Sequence, residues 1–185
     1  DAWVAVICHN ADRMIAFDSG RPRREVPDAD VEALVREWLR AEPELSEKRK
    51  RDIVRAVLEH GKPNNPVDCV ITVALNDADR VVNARLDVVL RSAQFHSDMP
   101  VLHPALLLDD VRGKYNNRLT VVADLKDCLD WGNLDDERFG CRTQEGRRMI
   151  VEYVAELQAF LEKIMEQRRE EGLVPYPEGF IAVQE

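Results

Sequence analysis

The sequence predicts an all-α fold. Apolar residues recur at three- and four-residue spacing along most of the chain, and residues that cap or stop helices stand at the ends of those runs. No alternating apolar/polar segments joined by Asn-Gly turns occur, and no internal repeat is visible. At 185 residues a single domain is expected, long enough to bury a sizeable core.

Taken in order, Ala2 to Ile15 is ambiguous by itself, since Val4, Val6 and Ile7 suit a buried strand. Its length and its Ala, Met and Arg content favour one helix. Phe17 to Pro27 carries Gly20, Pro22, Pro27 and three arginines and reads as a loop. Asp28 is placed to cap a helix with Val31, Leu34, Val35, Trp38 and Leu39 on one face, ending before Pro43. Ser46 caps the next, whose inner face is Ile53, Val54, Val57 and Leu58 and whose stop is Gly61. Pro66 opens a long helix reaching about Ser92, with Val70, Ile71, Ala74, Leu75, Ala78, Val82, Leu86 and Val89 as a broad apolar face.

The motif-bearing part of the chain is residues 1–94. Residues 95–118, with Pro100, Pro104 and Gly113, form an irregular excursion suited to a lid or to a contact in a homo-oligomer. Residues 119–172 hold the C-terminal helices: one from about Leu119 to Asp130, stopped at Gly132, and one from Thr143 to Glu171. Ile150, Val154, Leu157, Leu161 and Ile164 make the last helix amphipathic, and Gly172 and Pro175 end it.

The composition narrows the class of function. Thirty-five Asp and Glu against 26 Lys and Arg give a formal charge of −9, which disfavours nucleic acid as a general partner despite the local Lys48–Arg51 and Arg21–Arg24 clusters. No apolar stretch approaches the roughly 18 residues of a membrane span, and Ala2 to Cys8 lacks the flanks of a secretory signal. Cys8, Cys69, Cys128 and Cys141 are too scattered for a zinc site or a stapled fold, so four buried thiols in a reducing cytoplasm are expected. The uncapped apolar start at Asp1 reads as the continuation of something upstream.

The chemistry concentrates in two places. Asn76-Asp77-Ala78-Asp79-Arg80-Val81-Val82-Asn83-Ala84-Arg85 sets two carboxylates, two amides and two guanidiniums in an otherwise apolar helix. Such groups are costly to bury unless paired or bound to a metal. Helical periodicity puts Asp79 and Asn83 one turn apart, with Asn76, Arg80 and Asp87 beside them. The plain alternative is a solvated face laced with ion pairs. His9-Asn10 ends an apolar run, with Asp12 and Arg13 completing a turn. An imidazole nitrogen and an amide oxygen about 100° apart on one helix suit two neighbouring ligands of a divalent cation, whereas a lone core histidine is the plainer alternative. His60, just before a glycine stop, reads by default as a helix C-terminal cation, and His96 and His103 fall in the excursion.

The pair His9-Asn10-Ala11-Asp12-Arg13 and Ala78-Asp79-Arg80-Val81-Val82-Asn83-Ala84-Arg85 resembles the HD-domain superfamily of metal-dependent phosphohydrolases. That family carries an early His, a His-Asp pair, and a distant Asp in a segment written A-D-R-L-x-N-x-R in the guanosine tetraphosphate hydrolases. Looser similarity runs from Ala2 to about Gln94 and includes the helix ending at His60. The resemblance implies an all-helical, HD-like bundle around a divalent metal, whether Mn, Fe, Mg, Co or Zn. His9, Asn10 and Asp79 match the ligand positions, and Asn83 matches the Asn that lies near substrate. Asn10 stands where the family has Asp, and the early His is missing.

The resemblance implies attack of a metal-bound water on a nucleotide or other small phosphate ester. Asp79 would be ligand and water-orienting group, and Asp12 a second carboxylate for proton transfer. Arg13, Lys62 and Arg80 are the candidate phosphate cations, with His60 and Asn83 toward substrate. Two other functions stay open: a degenerate relative that binds a nucleotide or metal without turnover, and a helical interaction module whose polar stripe is mere solvation.

Overall fold

The computed structural model describes residues 1–95 and 120–170. The expected excursion, with His96 and His103, lies outside the described residues, as do Gly172 and Pro175. Among the described residues the chain is helical with no strand, so the protein is all-α. No helix among them is long and apolar enough to cross a membrane. The helices are α1 (Ala2–Cys8), α2 (Ala11–Ser19), α3 (Asp28–Arg40), α4 (Glu47–Glu59), α5 (Val70–Ala84), α6 (Val88–Phe95), α7 (Val121–Asp127) and α8 (Gln144–Glu170). Short 3-10 turns cover Arg23–Glu25 and Cys128–Gly132.

Two compact units divide the chain, one of Asp1–Asp79 with Glu137–Thr143 and one of the described residues of Arg80–Asp136 and Gln144–Glu185. In the first, α1 and α3 both pack against α4, and α2 packs against α3. Its core is Ala5, Cys8 and Ala11 from the first two helices with Val35, Leu39, Ile53, Val57 and Leu75 from the next three. The small residues of α1 and α2 face inward, which lets the backbones approach closely. Trp3, Ile7 and Phe17 face outward. Ser46 caps α4 as expected, its Oγ accepting from Arg49 N at 3.4 Å, and Gly61 follows the helix with φ +76°.

The second unit is built on α8, whose Ile150, Val154, Leu157 and Leu161 are buried as their spacing requires. Leu157 and Leu161 pack with Val122 and Cys128, and Val88, Val121 and Leu125 form an adjoining cluster. Thr120, almost fully buried, caps α7 by accepting from Ala123 N at 3.0 Å. Cys8, Cys128 and Cys141 are buried free thiols, and Cys69 is a half-buried one.

Three expectations are corrected. The single helix from Ala2 to Ile15 is two helices that break at His9-Asn10, because Asn10 leaves the helical region at φ −98°, ψ +24°. The loop expected from Phe17 is helical to Ser19, where Gly20 ends α2 at φ +65°, and a 3-10 turn follows. The long helix expected from Pro66 to Ser92 begins only at Val70 and stops at Ala84, and α6 begins at Val88 after a short break over residues 85–87. The inward face of α5 also differs. Val70 is 84% exposed and Val82 and Leu86 are largely exposed, whereas Thr72, Asn76, Asp77 and Arg80 are buried with Leu75 and Val81.

Candidate functional site

His9 and Asn10 form the junction between α1 and α2, so they are not successive positions on one regular helix. The chain reverses no further there, and the two side chains turn to each other. His9 Nδ1 lies 2.6 Å from Val6 O, and since a carbonyl only accepts, Nδ1 carries the proton of the neutral ring. Nε2 is left as an acceptor and takes a hydrogen bond from Asn10 Nδ2 at 2.8 Å. His60 repeats the device at the end of α4, with Nδ1 donating to Val57 O at 2.5 Å. The two imidazoles meet edge to face, 5.5 Å apart between centroids and at 83° between planes.

The other expected site residues divide. Asp79 is half-buried on α5 in the same unit. Asp12 accepts from Arg13 N at 2.8 Å and is ion-paired with Arg23, which occupies the carboxylate proposed for proton transfer. Arg13 is exposed. Lys62 faces Asp28 at 3.7 Å and Glu59 at 3.8 Å, so its charge is already answered by two carboxylates. Arg80 and Asn83 belong to the second unit, where Arg80 is buried and Asn83 Oδ1 accepts from Arg91 Nη1 at 3.4 Å. The structure thus brings His9, Asn10 and His60 together, and joins Asp12 and Lys62 to other charges.

The solvated-face alternative for the polar stripe fails at its first turn. Asn76 is 2% and Asp77 3% exposed. Asp77 spends its carboxylate on backbone, accepting from Arg142 N at 3.0 Å and from Thr143 N at 2.6 Å. Asp68 adds an ion pair to the Arg142 guanidinium at 2.8 Å, and Asn64 donates to Glu137 O and Gly140 O. Asn76 Oδ1 accepts from Gly61 N at 3.2 Å, directly after His60. Neither Asn76 nor Asp77 was singled out from the sequence as a site residue. Their partners lie far off in the chain, and the only sequence signal was two more polar groups in an apolar helix.

Among the described residues, no three His, Cys, Asp or Glu side chains are grouped so as to hold a metal ion. His9 and Asp79 are donors of the right kind. The lone pair of His9 that a cation would use is engaged by the Asn10 amide, and among the described residues no third His, Cys, Asp or Glu joins this pair to complete a ligand set. A cavity of about 400 Å³ between α3 and α4 is lined by Ala33, Arg36, Leu39, Arg40, Glu47 and Lys50 and includes none of the site residues. No family model, no curated protein and no solved structure matches this chain.

Proposed function

We propose that this chain is a degenerate HD-type helical domain that binds a nucleotide or another small phosphate ester at the His9–His60 pair without turning it over. One observation supports this above the others: the amide of Asn10 saturates His9 Nε2, a bond that a carboxylate at position 10 could not make. An Asp there could pair with the ring only if His9 Nε2 carried a proton, and with the ring unprotonated both groups would be open to a cation. In this chain the pair is satisfied without one. Phosphate oxygens are acceptors, and the His60 ring, whose Nδ1 proton goes to Val57 O, would offer one a donor when Nε2 is protonated as well.

A second reading, a metal-dependent phosphohydrolase acting on the same class of ester, is favoured by the segment Ala78–Arg85 and by the approach of His60 to His9. In that case a divalent cation would supply a water of lowered pKa, with His9 and Asp79 among its ligands. A panel of nucleoside mono-, di- and triphosphates and simple phosphate esters separates the two. Heats of binding with no release of phosphate in Mn-containing buffer support the binding domain. Release of phosphate overturns it in favour of the hydrolase, and neither heat nor release leaves a helical interaction module.

A further inference from the structure

The end of α4 is fastened in an unusual way. His60 leaves the helix at once, with ψ +144°, and Gly61 follows in the left-handed region. After such a glycine the helix end is commonly closed by the glycine N–H turning back to a carbonyl of its own helix. Here His60 N takes Ala56 O at 3.0 Å, and Gly61 N donates across to Asn76 Oδ1 on α5. Asn76 is almost wholly buried, and its Nδ2 has no hydrogen-bond partner among the described residues. An amide held in a core helix with one end unsatisfied is costly, and an apolar residue there would leave the Gly61 N–H without its acceptor instead. What the amide does accomplish is to fix the peptide that follows His60.

We propose that Asn76 is the positioning residue of the His9–His60 pair. Its Oδ1 pins the His60–Gly61 turn to α5, and the pinned turn, together with the Nδ1 bond to Val57 O, sets the His60 ring against His9. Asn76 stands one helical turn before Asp79, so the same bond sets His60 in register with the carboxylate-bearing stretch of α5. The inference deepens the binding reading above and rests on it for its functional meaning, while its geometry can be tested alone.

The test uses the full chain, isotopically labelled at histidine, at one pH. The readouts are the ring-nitrogen shifts of His9 and His60 and the ring-to-ring NOE between them, with far-UV circular dichroism as the check on folding. Asn76→Leu keeps the branching at Cγ and removes the acceptor, and Asn76→Ala serves as a second acceptor-free variant should the first not fold. Either is expected to lose the NOE and to release His60 from the Nδ1–H tautomer, with His9 unchanged. Asn76→Asp retains an oxygen for Gly61 N–H and is expected to keep both signals. A folded acceptor-free variant with wild-type His60 signals, or a folded Asn76→Asp that loses them, overturns the proposal. Adding adenosine monophosphate to the wild type reads the other question separately. If the His9 and His60 signals do not move, the ligand-site reading fails, whatever the Asn76 variants show.

Discussion

The His9 and His60 rings meet nearly at right angles with centroids 5.5 Å apart, and each ring has spent its Nδ1 proton on the carbonyl three residues before it, Val6 O and Val57 O. The Nδ1 proton of each ring is therefore fixed by the helix end that carries it. The arrangement is local at each histidine and long-range only in their meeting. It depends on α1 packing against α4, which the small residues Ala5, Cys8 and Ala56 permit.

Asp77 is expected to be the most sensitive polar residue of the first unit. Asp77→Ala removes a buried carboxylate from Arg142 N and Thr143 N and leaves both donors without it. A loss of about 2–3 kcal/mol follows from the worth of hydrogen bonds to a charged group. Asp77→Asn, which keeps one acceptor oxygen, is expected to lose about half as much. Urea unfolding measures both, and equal losses would show that the one oxygen Asn retains contributes nothing and that the charge and the second oxygen carry the whole effect.

In the second unit, a methyl group added at Gly132 would meet Val154 Cγ1 at 2.9 Å and Cβ at 3.3 Å. No positive φ is involved, so the penalty is steric alone. Gly132→Ala is expected to cost about 1–2 kcal/mol by overpacking. Combined with Val154→Ala, the two changes should cost less than their sum, since the truncation opens the space the new methyl needs. Strict additivity in urea unfolding would rule out the contact as the cause.

The sequence made the helical class legible because it rests on periodicity, and Ile150, Val154, Leu157 and Leu161 are buried where their spacing puts them. Caps were legible for the same local reason, as at Ser46. The inward face of α5 was not. Apolarity pointed to Val70 and Val82, which are exposed, while Asn76 and Asp77 go inside because Gly61 N, Arg142 N and Thr143 N need acceptors there. Those partners are set by tertiary packing, which no window of sequence contains. The break at His9-Asn10 was hidden likewise, since both residues fit a helical pattern. His60 was legible as a helix end, and its approach to His9 was anticipated only through the family resemblance.

Burial pushes the Cys8 thiol above its ordinary value of 9.0. Below that value both folded and unfolded chains keep the proton, and the group has no effect on stability. Above it the unfolded chain releases a proton that the folded one retains, so stability falls as pH rises from about 9 toward the raised folded value. The slope from one such group is at most about 1.4 kcal/mol per pH unit. Cys8→Ala is expected to flatten that part of the decline relative to wild type in urea unfolding at pH 8 and pH 10. Parallel curves for the two proteins would show that Cys8 does not carry it.

Asn10 offers the sharpest test of the site. With Asp at position 10 the donor to His9 Nε2 is gone, and a charged oxygen stands beside a freed lone pair. In the absence of metal, Asn10→Asp is expected to lower stability by about 1 kcal/mol for the lost hydrogen bond. With metal the sign reverses, because a hard cation gains an anionic ligand and an unoccupied imidazole nitrogen. Mn affinity should rise at least about tenfold, near 1.4 kcal/mol, in a calorimetric titration at fixed pH. Asp79→Ala should abolish Mn binding in either background, since it removes the one carboxylate that the proposed HD-type site would supply. If restoring Asp leaves the affinity unchanged and Asp79→Ala leaves binding intact, the resemblance does not extend to a metal site, and the His9–Asn10 bond is a structural lock at the junction of α1 and α2.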